Sequence, residues 1–353
     1  MLASLTMRER VLLGIVGLIV LTTAALEYGG GSDVAVFLVG ALALAGVAWV
    51  VSFSTEAVGE RFGPALTGVL QSTLGNLPEL FVVLFALSAG ELVVAQYSIL
   101  GSLFANALLV LGLVILAGSR AAGGTMKFGR RLPNDTATLL LLSAFIIGLV
   151  GISANTHDRA SDDIVTISAI AAVAVLIVYG VWVWGYLRST RDEVGGGPPE
   201  GGPSLRTSIT ILAIAGLGSA FVSEWFVDAL RPTIDAIGVS AQFAGLVVVA
   251  IAGNAVEHAV GVVLAYKGQA DLAISVVKNS VAQVAAFLAP ALVLVSLLFP
   301  DPLTFDLAPV YIAAFLLTVI AIWQVTGDGE AWAFEGAALI ATYVILAVFT
   351  LYE

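Results

Sequence analysis

The sequence predicts an all-α integral membrane protein of about eleven transmembrane helices, one N-terminal helix followed by two five-helix repeats of inverted topology. Three observations carry this. Hydrophobic residues make up 59% of the 353 and charged residues 11%, against about 25% charged in soluble domains. Apolar runs of roughly 17 to 25 residues, long enough to cross about 30 Å of hydrocarbon, recur along the whole chain. The two halves also align without a gap at a constant offset of 178 residues around their rarest polar positions.

The runs fall at about 11–26, 33–53, 64–88, 92–117, 136–153, 163–187, 207–229, 240–266, 270–297, 307–325 and 332–352. The first, preceded by Arg8 and Arg10 and followed by Thr22, Thr23, Ala24 and Ala25, also has the form of a cleavable signal peptide, whose removal would leave ten spans and the same core. Residues 1–32 are therefore an additional N-terminal helix, 33–187 the first repeat and 207–353 the second. Between them, 188–206 contains Gly195-Gly196-Gly197-Pro198-Pro199-Glu200-Gly201-Gly202-Pro203, which reads as a flexible cytoplasmic linker. With the N-terminus in the cytoplasm, 11 of the 14 Lys and Arg residues fall inside: Arg8, Arg10, Arg61, Arg120, Lys127, Arg130, Arg131, Arg188, Arg191, Arg206 and Lys267. Arg159 and Arg231 fall outside and Lys278 within a span. That asymmetry marks the cytoplasmic side. The expectation is a multi-pass cell-membrane protein with its C-terminus outside and the lipid bilayer as its surroundings. A net charge of −11 argues against nucleic acid as a partner, and the lack of cysteine excludes disulfides, iron-sulfur clusters and thiolate metal sites.

The repeat correspondence places Gly75-Asn76-Leu77-Pro78-Glu79 on Gly253-Asn254-Ala255-Val256-Glu257, Gly90 on Gly268 and Ser102 on Ser280. Asn and Glu are rare in apolar segments, so their coincidence is a strong signal. By the span count the two copies run in opposite directions, the usual architecture of secondary transporters. An intramembrane carboxylate costs several kcal/mol and is a functional candidate by default. Glu79 and Glu257 each lie near the centre of a span, three residues after an Asn, which in a helix shares their face. Pro78 and the glycines Gly75 and Gly253 are expected to loosen both helices and expose backbone oxygens. Carboxylate, amide and carbonyl oxygens are the ligands of hard cations such as Ca²⁺.

The following spans add Ser98, Ser102 and Asn106 in one half and Ser275, Asn279, Ser280 and Gln283 in the other, so four helices are expected to face one cavity. The competing reading is ordinary interhelical hydrogen bonding. His258 either transfers protons beside Glu257 or packs neutral between helices. Glu224, near the outer end of its span, is an ion-access ligand or merely interfacial. Lys278 either snorkels to the cytoplasmic interface or pairs with a site carboxylate and lowers the charge available to a cation.

These motifs resemble the calcium/cation antiporter superfamily, specifically its cation/proton exchanger (Ca²⁺/H⁺ antiporter) branch. Gly75 to Glu79 is similar to that branch's first signature and Gly253 to His258 to its second. Ser98-Ile99-Leu100-Gly101-Ser102-Leu103-Phe104-Ala105-Asn106, followed by Leu109-Val110-Leu111-Gly112, is similar to its next helix. The resemblance covers roughly residues 50–350. It implies that Glu79 and Glu257 bind Ca²⁺ as transported substrate, helped by Asn76, Asn254 and the adjacent backbone at Gly75 and Gly253. Gln71, Ser102, Ser280 and Gln283 are secondary, as are Asn106 and Asn279. It implies no cofactor and no enzymatic activity. Where the family has a Gly-Ser-Ser-x-Gln run, this chain has Asn279-Ser280-Val281-Ala282-Gln283 preceded by Lys278, one hydroxyl fewer and one cation more.

The function expected is Ca²⁺/H⁺ antiport by alternating access, exporting Ca²⁺ against inward H⁺. Two buried carboxyls hold protons when empty and release about two of them to a divalent cation. The runner-up is Na⁺/Ca²⁺ exchange, or Na⁺ or K⁺ exchange for H⁺ if Lys278 neutralises a carboxylate. An intramembrane hydrolase is a distant alternative, since the chain has two histidines and neither a His-Glu-x-x-His nor a Gly-x-Ser-x-Gly element. A channel is disfavoured by the paired inverted motifs.

Overall fold

A computed structural model describes residues 5–59, 70, 74–189 and 204–353. Its helices are α1 (Met7–Tyr28), α2 (Asp33–Gly59), α3 (Leu77–Ser88), α4 (Leu92–Ala121), α5 (Arg131–Thr156), α6 (Ile164–Ser189), α7 (Leu205–Ile237), α8 (Ala241–Tyr266), α9 (Ala270–Ser296), α10 (Pro309–Thr326) and α11 (Ala333–Leu351). Among the described residues ten are long and apolar enough to cross a membrane, and the shorter apolar α3 completes one helix per predicted run. Most of the linker and the start of the third run lie outside the described residues.

Helix ends extend past the apolar runs because hydropathy registers hydrocarbon depth, whereas capping decides where a helix stops. α7 starts at Ser204, whose side chain accepts from the Thr207 amide, and ends at Gly238, whose φ of 71° suits glycine. Among the described residues three π-turns interrupt the long helices, at Ala105–Val110 in α4, Ala244–Val249 in α8 and Val284–Leu288 in α9. The first and third fall at the repeat offset, immediately beyond the segments carrying Ser102 and Ser280. π-turns concentrate at functional sites. One departure from the all-α expectation is a pair of three-residue antiparallel strands, β1 (Thr125–Lys127) and β2 (Glu330–Trp332). They tie the α4–α5 connection to the α10–α11 connection.

Contacts between connections obey the alternation that eleven spans require. If the N-terminal end is called inner, β1, β2 and the bond from the Gly129 amide to Asp271 Oδ1 are all inner. Arg231 meets Glu91 at 3.3 Å, Trp225 donates to Tyr28, and Asn155 donates to the Leu307 carbonyl, all at the outer end. α2 and α7, the first helices of the two halves, form the most extensive pairing. Exposed stripes such as Leu141, Phe145, Leu149 and Ile152 on α5, or Ile170, Val173 and Ile177 on α6, present apolar surface outward at helical spacing.

Inside the bundle, close approach depends on glycine. A Cβ at Gly101 of α4 would lie 2.2 Å from the Leu246 carbonyl oxygen of α8, and one at Gly112 would lie 2.6 Å from the Gly336 carbonyl oxygen of α11. Small residues at such crossings are how membrane helices gain contact. Gly112→Val is expected to destabilise the folded protein by about 1–3 kcal/mol through overpacking. Gly14→Ala, at a position with nothing within 4 Å, is the control. Thermal unfolding of both purified variants checks this.

Candidate metal site

The two signature motifs meet face to face: a Cβ on Gly253 of α8 would lie 4.0 Å from the Glu79 Cβ of α3. They are built differently. Gly75 and Asn76 form a turn, and α3 begins at Leu77 with Pro78 in its first turn, where the missing amide costs nothing. Glu79 therefore sits in the first turn of a helix, where the partial positive charge of the helix N-terminus favours a carboxylate. The matching break expected at Gly253 does not occur. Ala250–Tyr266 is continuous α-helix, because a lone glycine keeps its amide and Val256 stands where the first repeat has proline. The irregularity lies upstream instead, in the π-turn at 244–249.

Hydrogen bonds then cross between the halves. Asn106 Nδ2 donates to Ser280 Oγ at 3.1 Å, and Ser280 Oγ donates to Glu257 Oε2 at 2.5 Å. Asn254 Nδ2 donates to Ser102 Oγ at 2.8 Å and to the Ala250 carbonyl at 3.0 Å. Ser102 and Asn254 stand beside Glu79, and Glu257 is within Coulombic range of it. The structure thus brings Glu79, Glu257, Asn254, Ser102, Ser280 and Asn106 together, with Asn76 buried at the start of α3. Gln71 lies outside the described residues.

Both carboxylate oxygens of Glu79 are buried and, among the described residues, accept no well-formed hydrogen bond, with the Ser102 hydroxyl and the Asn254 amide as neighbouring donors; the amide oxygen of Asn106 is likewise buried and unpartnered among them. A buried polar atom without a partner costs about 1–3 kcal/mol, so a cluster of them calls for an explanation. All three are electron-pair donors. Among the described residues no group of three or more His, Asp or Glu side chains is placed to hold a metal. A cation here would be bound by two carboxylates supplemented by neutral oxygens, the chemistry of Ca²⁺ and not of zinc.

The remaining candidates are distributed around this cluster. Asn279 donates to Ser275 Oγ at 3.3 Å, with its own oxygen buried and unpartnered, and Gln283 is buried one turn further along α9. Ser98 donates to the Ala95 carbonyl of its own helix. His258 makes no hydrogen bond to Glu257, and its Nε2 is buried without a partner among the described residues. Glu224 stands in an acidic group with Glu27, Asp33 and Asp228 in the outer half.

Lys278 does neither of the two things expected of it. It is fully buried, and its Nζ donates to Thr326 Oγ1 of α10 at 3.3 Å; among the described residues it reaches neither solvent nor a carboxylate. Its side chain is directed at Thr326, the last residue of α10, while α4, α5 and α8 pack around this part of α9. Two contributors escape sequence reasoning. Thr326 is one, 48 residues from Lys278. Ser223 of α7 is the other; it donates to the Pro78 carbonyl at 3.3 Å and fastens the start of α3.

Comparison with known proteins gives a consistent set of matches. The family described as sodium/calcium exchanger protein matches residues 32–187 and 207–352. A vacuolar calcium ion transporter of Schizosaccharomyces pombe is 32% identical over 327 residues, covering 89% of this chain and 78% of its own. A Ca²⁺/H⁺ antiporter of Aphanothece halophytica is 28% identical over 335 residues, covering 90% of each. The structure of native YfkE superposes with a TM-score of 0.81 at 25% identity, covering 97% of this chain and 100% of that one.

The bond from Ser280 to Glu257 is a charge-assisted one when the carboxyl is ionised, typically worth about 1.5–3 kcal/mol. Ser280→Ala is expected to weaken Ca²⁺ binding by about tenfold, while Ser98→Ala leaves it unchanged. Calorimetric titration of the purified variants decides this.

Proposed function

The chain belongs to the sodium/calcium exchanger protein family, and from that premise we propose that it is a secondary active Ca²⁺/H⁺ antiporter whose cargo binds between Glu79 and Glu257. The observation that carries the reading is the cluster of buried, unpartnered oxygens around the crossing of α3 and α8. The relatives named for Ca²⁺/H⁺ exchange or calcium transport support the choice of ions.

The chemistry is competition for one pair of carboxyl groups. Out of water a carboxyl is stable either neutral, with its proton, or ionised against a cation. Two carboxyls are satisfied by two protons or by one Ca²⁺, and the two states carry the same total charge. Ser280 holds one oxygen of Glu257, while neither oxygen of Glu79 is held by a well-formed bond among the described residues. In this reading Glu257 anchors the ion and Glu79 closes on it, with Asn106, Asn254 and Ser102 completing the oxygen shell. Halves 33–187 and 207–353 expose the site alternately by rocking about it. The excess of basic residues at the inner end supports a cytoplasmic N-terminus, and in this reading the role is Ca²⁺ export against inward H⁺.

Proteoliposomes test this directly. Ca²⁺ uptake driven by an imposed pH gradient alone, and lost in both Glu79→Gln and Glu257→Gln, is the expected result. Uptake that requires Na⁺ instead would reassign the coupling ion. Because two protons leave for each Ca²⁺ bound, the logarithm of the Ca²⁺ Kd is expected to fall by about 2 per pH unit where both carboxyls are protonated. A cysteine introduced at Gly196 should label from the cytoplasm and one at Asp162 from outside, in a chain that has no other cysteine.

A further inference from the structure

Lys278 is a basic side chain in the interior that the exchange chemistry above does not use. It is 0% exposed and among the largest fully buried side chains. Its Nζ meets Thr326 Oγ1, which spends its own hydrogen on the Ile322 carbonyl at 2.6 Å. Lys278 forms no ion pair among the described residues. A neutral side chain of similar volume would pack there without the cost of desolvating an ammonium. The charge itself therefore has an effect to account for.

Position defines that effect. Lys278 precedes Ser280 by two residues on α9, which is about 3 Å along the axis and about 200° around it. Ser280 faces Glu257 while Lys278 faces Thr326 of α10, so the ammonium stands behind the binding side chains and cannot replace the cargo. It acts through its field, in an interior of low dielectric where mobile salt does not screen it.

We propose that Lys278 is a specificity-determining residue, whose fixed charge penalises each bound cation in proportion to its valence and so moves the site's preference from divalent toward monovalent ions. This rests on the reading that Glu79 and Glu257 carry the cation. The penalty on Ca²⁺ is twice that on Na⁺ or K⁺, and two protons experience the same penalty as one Ca²⁺. Exchange of Ca²⁺ for two protons is left in balance, and the contest between Ca²⁺ and a monovalent ion is not.

The test is Ca²⁺ binding to the purified protein, with Na⁺ as competitor, at one neutral pH held the same for every variant, where the ammonium keeps its proton. In Lys278→Met and Lys278→Gln, one apolar and one able to keep a bond to Thr326, the Na⁺ inhibition constant is expected to fall about threefold and the Ca²⁺ Kd by the square of that factor, about tenfold. Lys278→Arg should retain the native ratio. Equal changes for the two ions, or no change in either neutral variant, would overturn the proposal, since a packing role alters affinity without regard to valence. Retention of Ca²⁺ binding by Glu79→Gln and Glu257→Gln would instead remove the underlying site, whatever Lys278 does.

Discussion

A bilayer offers no water to a buried carboxylate, and the architecture around Glu79 and Glu257 follows from that constraint. Each carboxyl has to be protonated, hydrogen-bonded or matched by a cation. The protein supplies part of the match with neutral donors: Ser280 of α9 bonds Glu257, and Ser102 of α4 and Asn254 of α8 stand beside Glu79. The remainder is left for the cargo. A fully satisfied pair would be a structural element and would bind nothing.

The repeat relationship delivers two equivalent glutamates, and the local backbone then makes them unequal. Glu79 stands in the first turn of a helix that starts at Pro78, held from behind by Ser223 on the Pro78 carbonyl. Glu257 stands inside an unbroken helix and is held through its side chain by Ser280. Asn106 has Val284 as its repeat equivalent, so the bond that orients Ser280 exists on one side only. Symmetry of scaffold combined with asymmetry of ligands lets one carboxyl be fixed while the other is free to respond.

The parts legible in sequence were those written in composition and in rare residues. Long apolar runs located the long helices among the described residues, because only backbone satisfied within its own segment survives in hydrocarbon. Asn76, Glu79, Asn254 and Glu257 announced the site because polar residues are scarce in such runs. What the sequence could not convey was distance. Nothing about Lys278 says that its ammonium will find Thr326 across a helix interface, and nothing about Ser223 links it to Pro78, 145 residues earlier. The π-turns leave no compositional mark, and β1 and β2 are too short, at three residues each, to show the alternation that betrays a strand. The break foreseen at Gly253 failed because glycine permits a kink without enforcing one, whereas proline removes an amide outright.

The short β1–β2 ladder has a bearing on how this protein can vary. Its bonds run between main-chain atoms, from Thr125–Lys127 to Glu330–Trp332, with the Phe128 amide adding one more to the Gly329 carbonyl. Only Met126 and Ala331 turn inward, at 1% and 0% exposure, while the paired Lys127 and Glu330 face solvent. A tie made of backbone is indifferent to most side chains. The inner connections of the two halves can therefore drift in sequence among descendants of this chain, retaining their attachment so long as proline stays out and the two inward positions stay apolar.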